Sequence, residues 1–131
     1  MHIDLMRDKS KVMPSVAEPA AVTSMCIWHC AYSSVEETSA FPNLNSLVTA
    51  TFPDTTLECL SLLSKLTHLR IVHLPKVTDL GPLASLTDLR LLSLETLPSW
   101  DSSSKRTVVS SLEPITCLPH IEHLSLLGVV P

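Results

Sequence analysis

Glycine is scarce in this chain, at two residues, Gly81 and Gly128. Phosphate-cradling loops of the glycine-rich kinds need several glycines close together, so nucleotide binding of that type is excluded. Aromatic residues make up only 4% of the sequence against 45% hydrophobic residues overall, so any core must be built from Leu, Val and Ile. No run approaches the ~18 consecutive apolar residues of a membrane span. Charge is sparse as well, at 17%, with a formal net charge of −4 and Lys105-Arg106 as the only adjacent basic pair. Nucleic acid usually demands a clustered basic face, so direct binding to it is disfavoured. A subunit held by protein contacts inside a nucleoprotein assembly would escape that test.

Two further absences bear on location. The N-terminus MHIDLMRDKSKVMPS has no apolar signal core and balances its acidic and basic residues, which fits neither a secretory signal nor a mitochondrial presequence. Four cysteines, Cys26, Cys30, Cys59 and Cys117, are irregularly spaced and outnumbered by leucines. That pattern argues against a disulfide framework and for an intracellular, reducing compartment such as the cytoplasm.

What the sequence does contain is a ladder of apolar residues. Leu66, Leu69, Val72 and Leu74 recur as Leu86, Leu89, Leu92 and Leu94, each 20 residues later. A fixed period of this size is the mark of a solenoid. Residues 1–20 show no periodicity and read as an N-terminal arm or an improvised cap. Residues 21–131 then form one repeat domain, faint at first and regular from Leu66. It is broken after Leu97 by PSWDSSSKRTVVSS, an insertion at 98–111, and resumes at Leu112, Ile115 and Leu118.

Each unit has two halves. Three-residue gaps (Leu80, Leu83, Leu86) suit a 3₁₀-like or extended turn, in which side chains eclipse every third residue. The L-x-L half (Val72-His73-Leu74, Leu92-Ser93-Leu94, Leu124-Ser125-Leu126) has period two and reads as a short strand with both apolar residues on one face. Such strands would stack in parallel and bury their leucines between the two halves.

This pattern resembles the leucine-rich repeat. TDLGPLASLTDL, residues 78–89, is similar to the D-[IVL]-x-P-L-x-x-L segment of internalin-like repeats, and short repeats of this kind also occur in trypanosomatid proteins. The resemblance implies an α/β solenoid, a right-handed horseshoe fragment of about five units with short parallel strands and 3₁₀ or irregular convex turns. One departure is that the family's Asn, Cys or Thr three residues after the L-x-L pair is replaced by Tyr32, Phe52, Val77, Leu97 and Val129. The next turns must satisfy their backbone otherwise, with Thr78 and Asp79 as local acceptors.

Repeat solenoids bind partners through the surface lined by their strands. Aligning the L-x-L pairs puts three columns on that surface. The first holds Cys26, Ser46, Ile71, Leu91 and His123. The middle one holds Trp28, Val48, His73, Ser93 and Ser125, and the third Cys30, Ala50, Pro75, Glu95 and Leu127. Large apolar patches mark interaction sites and a Trp is a frequent anchor, so Trp28, Val48, Ile71, His73, Leu91, Ser93, Glu95 and Leu127 are the candidate partner-binding residues. Coverage of the face by the terminal arm, or a slipped register in the weak first repeat, would give the same pattern. The insertion adds Trp100, Lys105 and Arg106 on an expected surface loop. The apolar finish from Leu126 suggests end-on docking in a larger complex.

No chemistry competes with this reading. Cys26, His29 and Cys30 do not converge in the strand alignment, so no metal is expected, and His120, Glu122 and His123 fall on a turn and strand edge. No nucleophile elbow or carboxylate pair has a positioned pocket in a thin solenoid, so neither an enzyme nor a cofactor is expected. The expectation is a non-catalytic protein-protein interaction subunit or scaffold, with no membrane contact. The alternative is a regulatory or inhibitory binder of an enzyme, like phosphatase-regulating or immunity-type repeat proteins.

Overall fold

The computed structural model describes residues 1–96 and 106–131. Five strands, β1 (His2–Met6), β2 (Ser24–Trp28), β3 (Ser46–Ala50), β4 (His68–Val72) and β5 (Leu91–Glu95), stack in parallel in chain order. A short β6 (Thr107–Val108) follows outside this sheet, then β7 (His123–Leu127) adds as its sixth strand. β8 (Val129–Val130) pairs in parallel with β6.

Strand starts are 22, 22, 22, 23 and 32 residues apart, so the spatial period is longer than the 20 read from leucines alone. The cause lies in the turns. Leu57, Leu60, Leu63 and Leu66 are joined by successive amide-to-carbonyl bonds of three residues, each 2.9–3.0 Å. Leu80, Leu83, Leu86 and Leu89 repeat the arrangement at 3.0–3.1 Å. In sequence the leucine gap and in structure the hydrogen-bond step are the same three residues, which is 3₁₀ geometry. Segments Glu36–Ala40, Glu58–Leu60 and Gly81–Ser85 are the resulting 3₁₀ turns, and α1 (Glu113–Thr116) is the corresponding turn before β7.

Burial alternates throughout β1 and β2, and the inward positions of β3, β4 and β5 follow the same alternation. One inward column is Met25, Leu47, Leu69 and Leu92, the next Ile27, Thr49, Ile71 and Leu94, and all eight are almost wholly buried. Each buried aliphatic side chain contributes about 2 kcal/mol of transfer free energy. The principal element contacts run strand to strand and turn to turn. The core is therefore a thin slab shared along the chain.

After most strands the chain turns through a left-handed residue: Arg7 (φ 53), His29 (φ 53), Thr51 (φ 67), His73 (φ 67) and Gly128 (φ 68). Four of the five carry a Cβ and bear about 1–2 kcal/mol of strain each. The neighbouring repeat holds them there. The Arg7 amide donates to the Trp28 carbonyl at 2.8 Å and the Thr51 amide to the Val72 carbonyl at 2.7 Å.

Three expectations change. The first 20 residues hold β1, in full register with β2, so the repeat sheet begins at His2 rather than after residue 20. Its turn is tied to the second repeat by the Tyr32 hydroxyl, which donates to Asp8 Oδ2 at 2.7 Å. In β4 the strand pair is Leu69-Arg70-Ile71, three residues before the expected Val72-His73-Leu74. An odd slip reverses every side chain, so Ile71 is a core residue (0% exposed), not a surface one. His73, 6% exposed, sits at the left-handed bend beyond the strand.

The insertion is not wholly a surface loop. Its returning part alternates Thr107 and Val109 inward with Val108 outward, and the Ser110 amide donates to the Thr78 carbonyl at 2.9 Å. Thr107 Oγ1 donates to the Leu74 carbonyl (2.9 Å) and meets Thr96 Oγ1 (2.6 Å), while the Leu74 amide donates to Thr96 Oγ1 (3.0 Å). Two threonines thus satisfy both backbone groups of Leu74, where the family would use a capping ladder. Trp100 and Lys105 lie outside the described residues.

Candidate binding surface

The face opposite the core slab is the open one. From β1 to β7 its first column is His2, Ser24, Ser46, His68, Leu91 and His123. The middle column is Asp4, Cys26, Val48, Arg70, Ser93 and Ser125, and the third is Met6, Trp28, Ala50, Val72, Glu95 and Leu127. Parallel sheets are ordinarily covered on both faces. Among the described residues most side chains of this face are at least partly exposed, Ala50 (1%), Val72 (2%) and Ser93 (8%) being the buried ones.

Of the sequence-expected residues, Trp28, Val48, Leu91, Ser93, Glu95 and Leu127 do stand on this face. Trp28 is half-buried, flanked in register by Met6 and Ala50, and its ring meets the His29 ring edge-on at 5.3 Å. Ser93 is buried and donates to Glu95 Oε1 at 3.2 Å, while Arg70 Nη2 lies 3.6 Å from the same oxygen. Arg106 is exposed just before β6, away from the sheet. On β4 the face carries Arg70 in place of Ile71 and His73, and Val72, in register with the third column, is itself buried. Sequence reasoning also missed His2, Asp4, Met6 and His68. The 22-residue spacing of Met25, Leu47 and Leu69 was the available signal for them.

The face is graded. Its apolar residues gather in the third column and its histidines and serines in the first. Between Arg70, Leu91, Ser93, His123 and Ser125 lies an open depression of about 580 Å³. At the β7 edge the core column itself comes to the surface. Leu124 is 49% exposed, although Leu92, its neighbour in the same column, is 1% exposed, and on the open face of the same strand Leu127 is 47% exposed.

Other polar groups have structural occupations. Asp8 is held below the usual carboxylate range by the Ser10 amide, then by the Tyr32 hydroxyl. Burial pushes the Cys59 thiol up to about 11. Cys26 points to the open face, whereas Cys30 turns inward and donates from Sγ to the Leu5 carbonyl at 3.2 Å. They do not share a face as expected. In the corrected alignment Cys30 lies three residues after the Met25-Cys26-Ile27 strand, so it fills the family's capping position after all. Among the described residues no group of three His, Cys, Asp or Glu side chains is arranged to hold a metal ion.

His2 joins Asp4 and Ser24 in one chain of contacts, Nε2 to Asp4 Oδ1 at 2.7 Å and Nδ1 to Ser24 Oγ at 2.6 Å. The residue types are those of a charge relay. Yet the His2 and Asp4 side chains are 52% and 59% exposed, and the Thr23 and Ser24 amides both point to the Met1 carbonyl. These two amides are therefore engaged within the fold rather than offered as an oxyanion hole.

No protein-family model matches the chain, and no curated protein sequence matches it. Among solved structures it is similar to internalin C2 of Listeria monocytogenes, at 18% identity and a TM-score of 0.57 over 86% of this chain and 52% of that one. A second internalin from the same organism, InlF, aligns at 14% identity and a TM-score of 0.42, over 94% of this chain and 47% of that one. The chain spans about half the length of these internalins. With the parallel sheet, the 3₁₀ turns and the first of these likenesses in hand, the chain is a leucine-rich-repeat solenoid.

Proposed function

We propose that this protein is a non-catalytic interaction subunit that receives a protein partner on its strand face and docks through β7 into a larger assembly. The leucine-rich-repeat fold is in general a protein-protein interaction module, and the finer role is inferred from the surface. The observation that carries it is the half-buried Trp28 on the strand face, with Met6, Val48 and Leu91, each at least partly exposed, on the same face. Rigid aromatic anchors of this kind dominate interface energetics. Leu124 and Leu127, each nearly half exposed, support the docking role of β7. The His2–Asp4–Ser24 contacts are exposed, and the Thr23 and Ser24 amides beside them are already bonded to the Met1 carbonyl, which does not favour a catalytic reading. Four free cysteines favour a reducing, intracellular setting, and among the described residues no helix is long and apolar enough to cross a membrane.

Two variants test the two surfaces separately. Affinity capture from the cells that make the protein should recover a defined protein partner, which Trp28→Glu loses and Val108→Glu, exposed on β6 outside the six-stranded sheet, retains. Light scattering behind a sizing column should show an assembly larger than a monomer that Leu127→Glu reduces to one. A partner that ignores Trp28→Glu, or a wild-type chain that is a clean monomer at all concentrations, would remove the respective half of the reading.

A further inference from the structure

Where the chain leaves β1 and β2, Arg7, Asp8, Lys9, His29 and Ala31 line an open depression of about 450 Å³. It borders the most apolar corner of the strand face. Arg7 directly follows Met6, and His29 directly follows Trp28, both through left-handed bends with φ 53.

The charges in this depression are unequally committed. Both oxygens of Asp8 are used inside the fold: Oδ1 accepts from the Ser10 amide at 3.0 Å and Oδ2 from the Tyr32 hydroxyl at 2.7 Å. The Arg7 guanidinium and the Lys9 ammonium are exposed, and neither has a hydrogen-bond or ion-pair partner among the described residues. Among the described residues Arg70 is paired with Glu95, Arg90 with Glu122, and Lys65 with Asn43, while Lys11, Lys76 and Arg106 also lack such a partner but line no depression with a second cation. Asp8 keeps its charge, since both of its donors are neutral, but its oxygens face those donors, and the two free cations outnumber it at the rim of a chain whose net charge is −4.

We propose that this depression receives an acidic side chain of the protein partner, next to an apolar partner residue that seats against Met6 and Trp28. The inference rests on the interaction reading above and adds the partner's chemistry. A guanidinium presents a planar fork that matches a carboxylate, and the ammonium supplies a second, mobile point charge. A local cationic pair on an otherwise acidic molecule steers an acidic segment to this rim and away from the remaining surface.

The test uses the full chain labelled with nitrogen-15 and two blocked probe peptides, one alternating glutamates with leucines and the other lysines with leucines. With the glutamate peptide, amides of residues 6–9 and 28–31 should shift to saturation. The effect should weaken about tenfold or more in Arg7→Glu/Lys9→Glu and at high salt, and the lysine peptide should move nothing. No shifts with the glutamate peptide, shifts confined to Val48, Arg70 or Leu91, or an unchanged affinity in the double variant would each overturn the inference. The native partner separates this from the broader reading. Loss with Trp28→Glu but retention by Arg7→Glu/Lys9→Glu overturns the acidic contact alone, whereas retention by both removes the strand-face reading too. Circular dichroism of the double variant checks folding, and both of its substitutions are at exposed positions.

Discussion

Thr49 and Thr107 have the same side chain and almost the same burial, at 1% and 0% exposure, yet stand in opposite states. Thr49 lies in the inward column between Ile27 and Ile71, and its hydroxyl has no hydrogen-bond partner among the described residues. A buried hydroxyl without a partner costs about 1–3 kcal/mol. Valine has nearly the same shape and suits a strand at least as well. Thr49→Val should therefore stabilise the protein by about 1 kcal/mol and raise the thermal midpoint by roughly 3–5 °C. A midpoint that is unchanged or lower by calorimetry would mean that the hydroxyl is satisfied in solution. Sequence shows a threonine at this position but not its orphaned state. That depends on what the adjacent repeats bring alongside it, and they bring only aliphatic side chains.

Among the elements, β6 illustrates how a returning segment becomes part of a solenoid. Thr107 donates to the Leu74 carbonyl and meets Thr96, whose hydroxyl accepts the Leu74 amide. The same change as above should here have the reverse sign. Thr107→Val takes one of its two donors from the Leu74 carbonyl, which keeps the Val77 amide at 3.2 Å, and leaves the buried Thr96 hydroxyl without Thr107. It should destabilise by about 1–3 kcal/mol, read as a lower denaturation midpoint in urea with unchanged slope. This element was illegible because its alternation spans only three residues, Thr107 to Val109, inside a serine-rich stretch. The convex turns were legible for the opposite reason. Their leucine gaps equal their hydrogen-bond step, so the side-chain pattern and the backbone pattern coincide. Strands were intermediate. Those at β3, β5 and β7 matched the sequence alignment, whereas β2 was two residues off and β4 three.

At the scale of the molecule, each repeat contacts only its neighbours, so stability is a sum of units and interfaces. A central strand has two interfaces and β7 one, with Leu124 half exposed at that edge. Amide exchange should therefore be slowest in β3 and β4 and markedly faster in β7. Uniform protection across the six strands would show a single cooperative unit instead. The same one-dimensional construction governs what could be read of the candidate surface. Trp28, Val48, Leu91, Ser93, Glu95 and Leu127 were found because each lies in a strand whose face survived the alignment errors, and an even slip preserves the face. Ile71 and His73 were misassigned because the slip there was odd.

Sequence alone determined the solenoid, its inward leucines and its three-residue turns, since these follow from side-chain spacing within a repeat. It did not determine the frame in which one repeat meets the next. A ladder with a gap of three superposes on itself when moved by three, so periods of 20 and 23 fit the leucines equally well between Leu66 and Leu89. Only the hydrogen bonds between adjacent strands break that degeneracy, by pairing Leu69 with Leu92 and Ile71 with Leu94. Those bonds also bring β1 into the sheet, set Arg7 and His29 at its rim, and turn Arg70 rather than Ile71 to the open face.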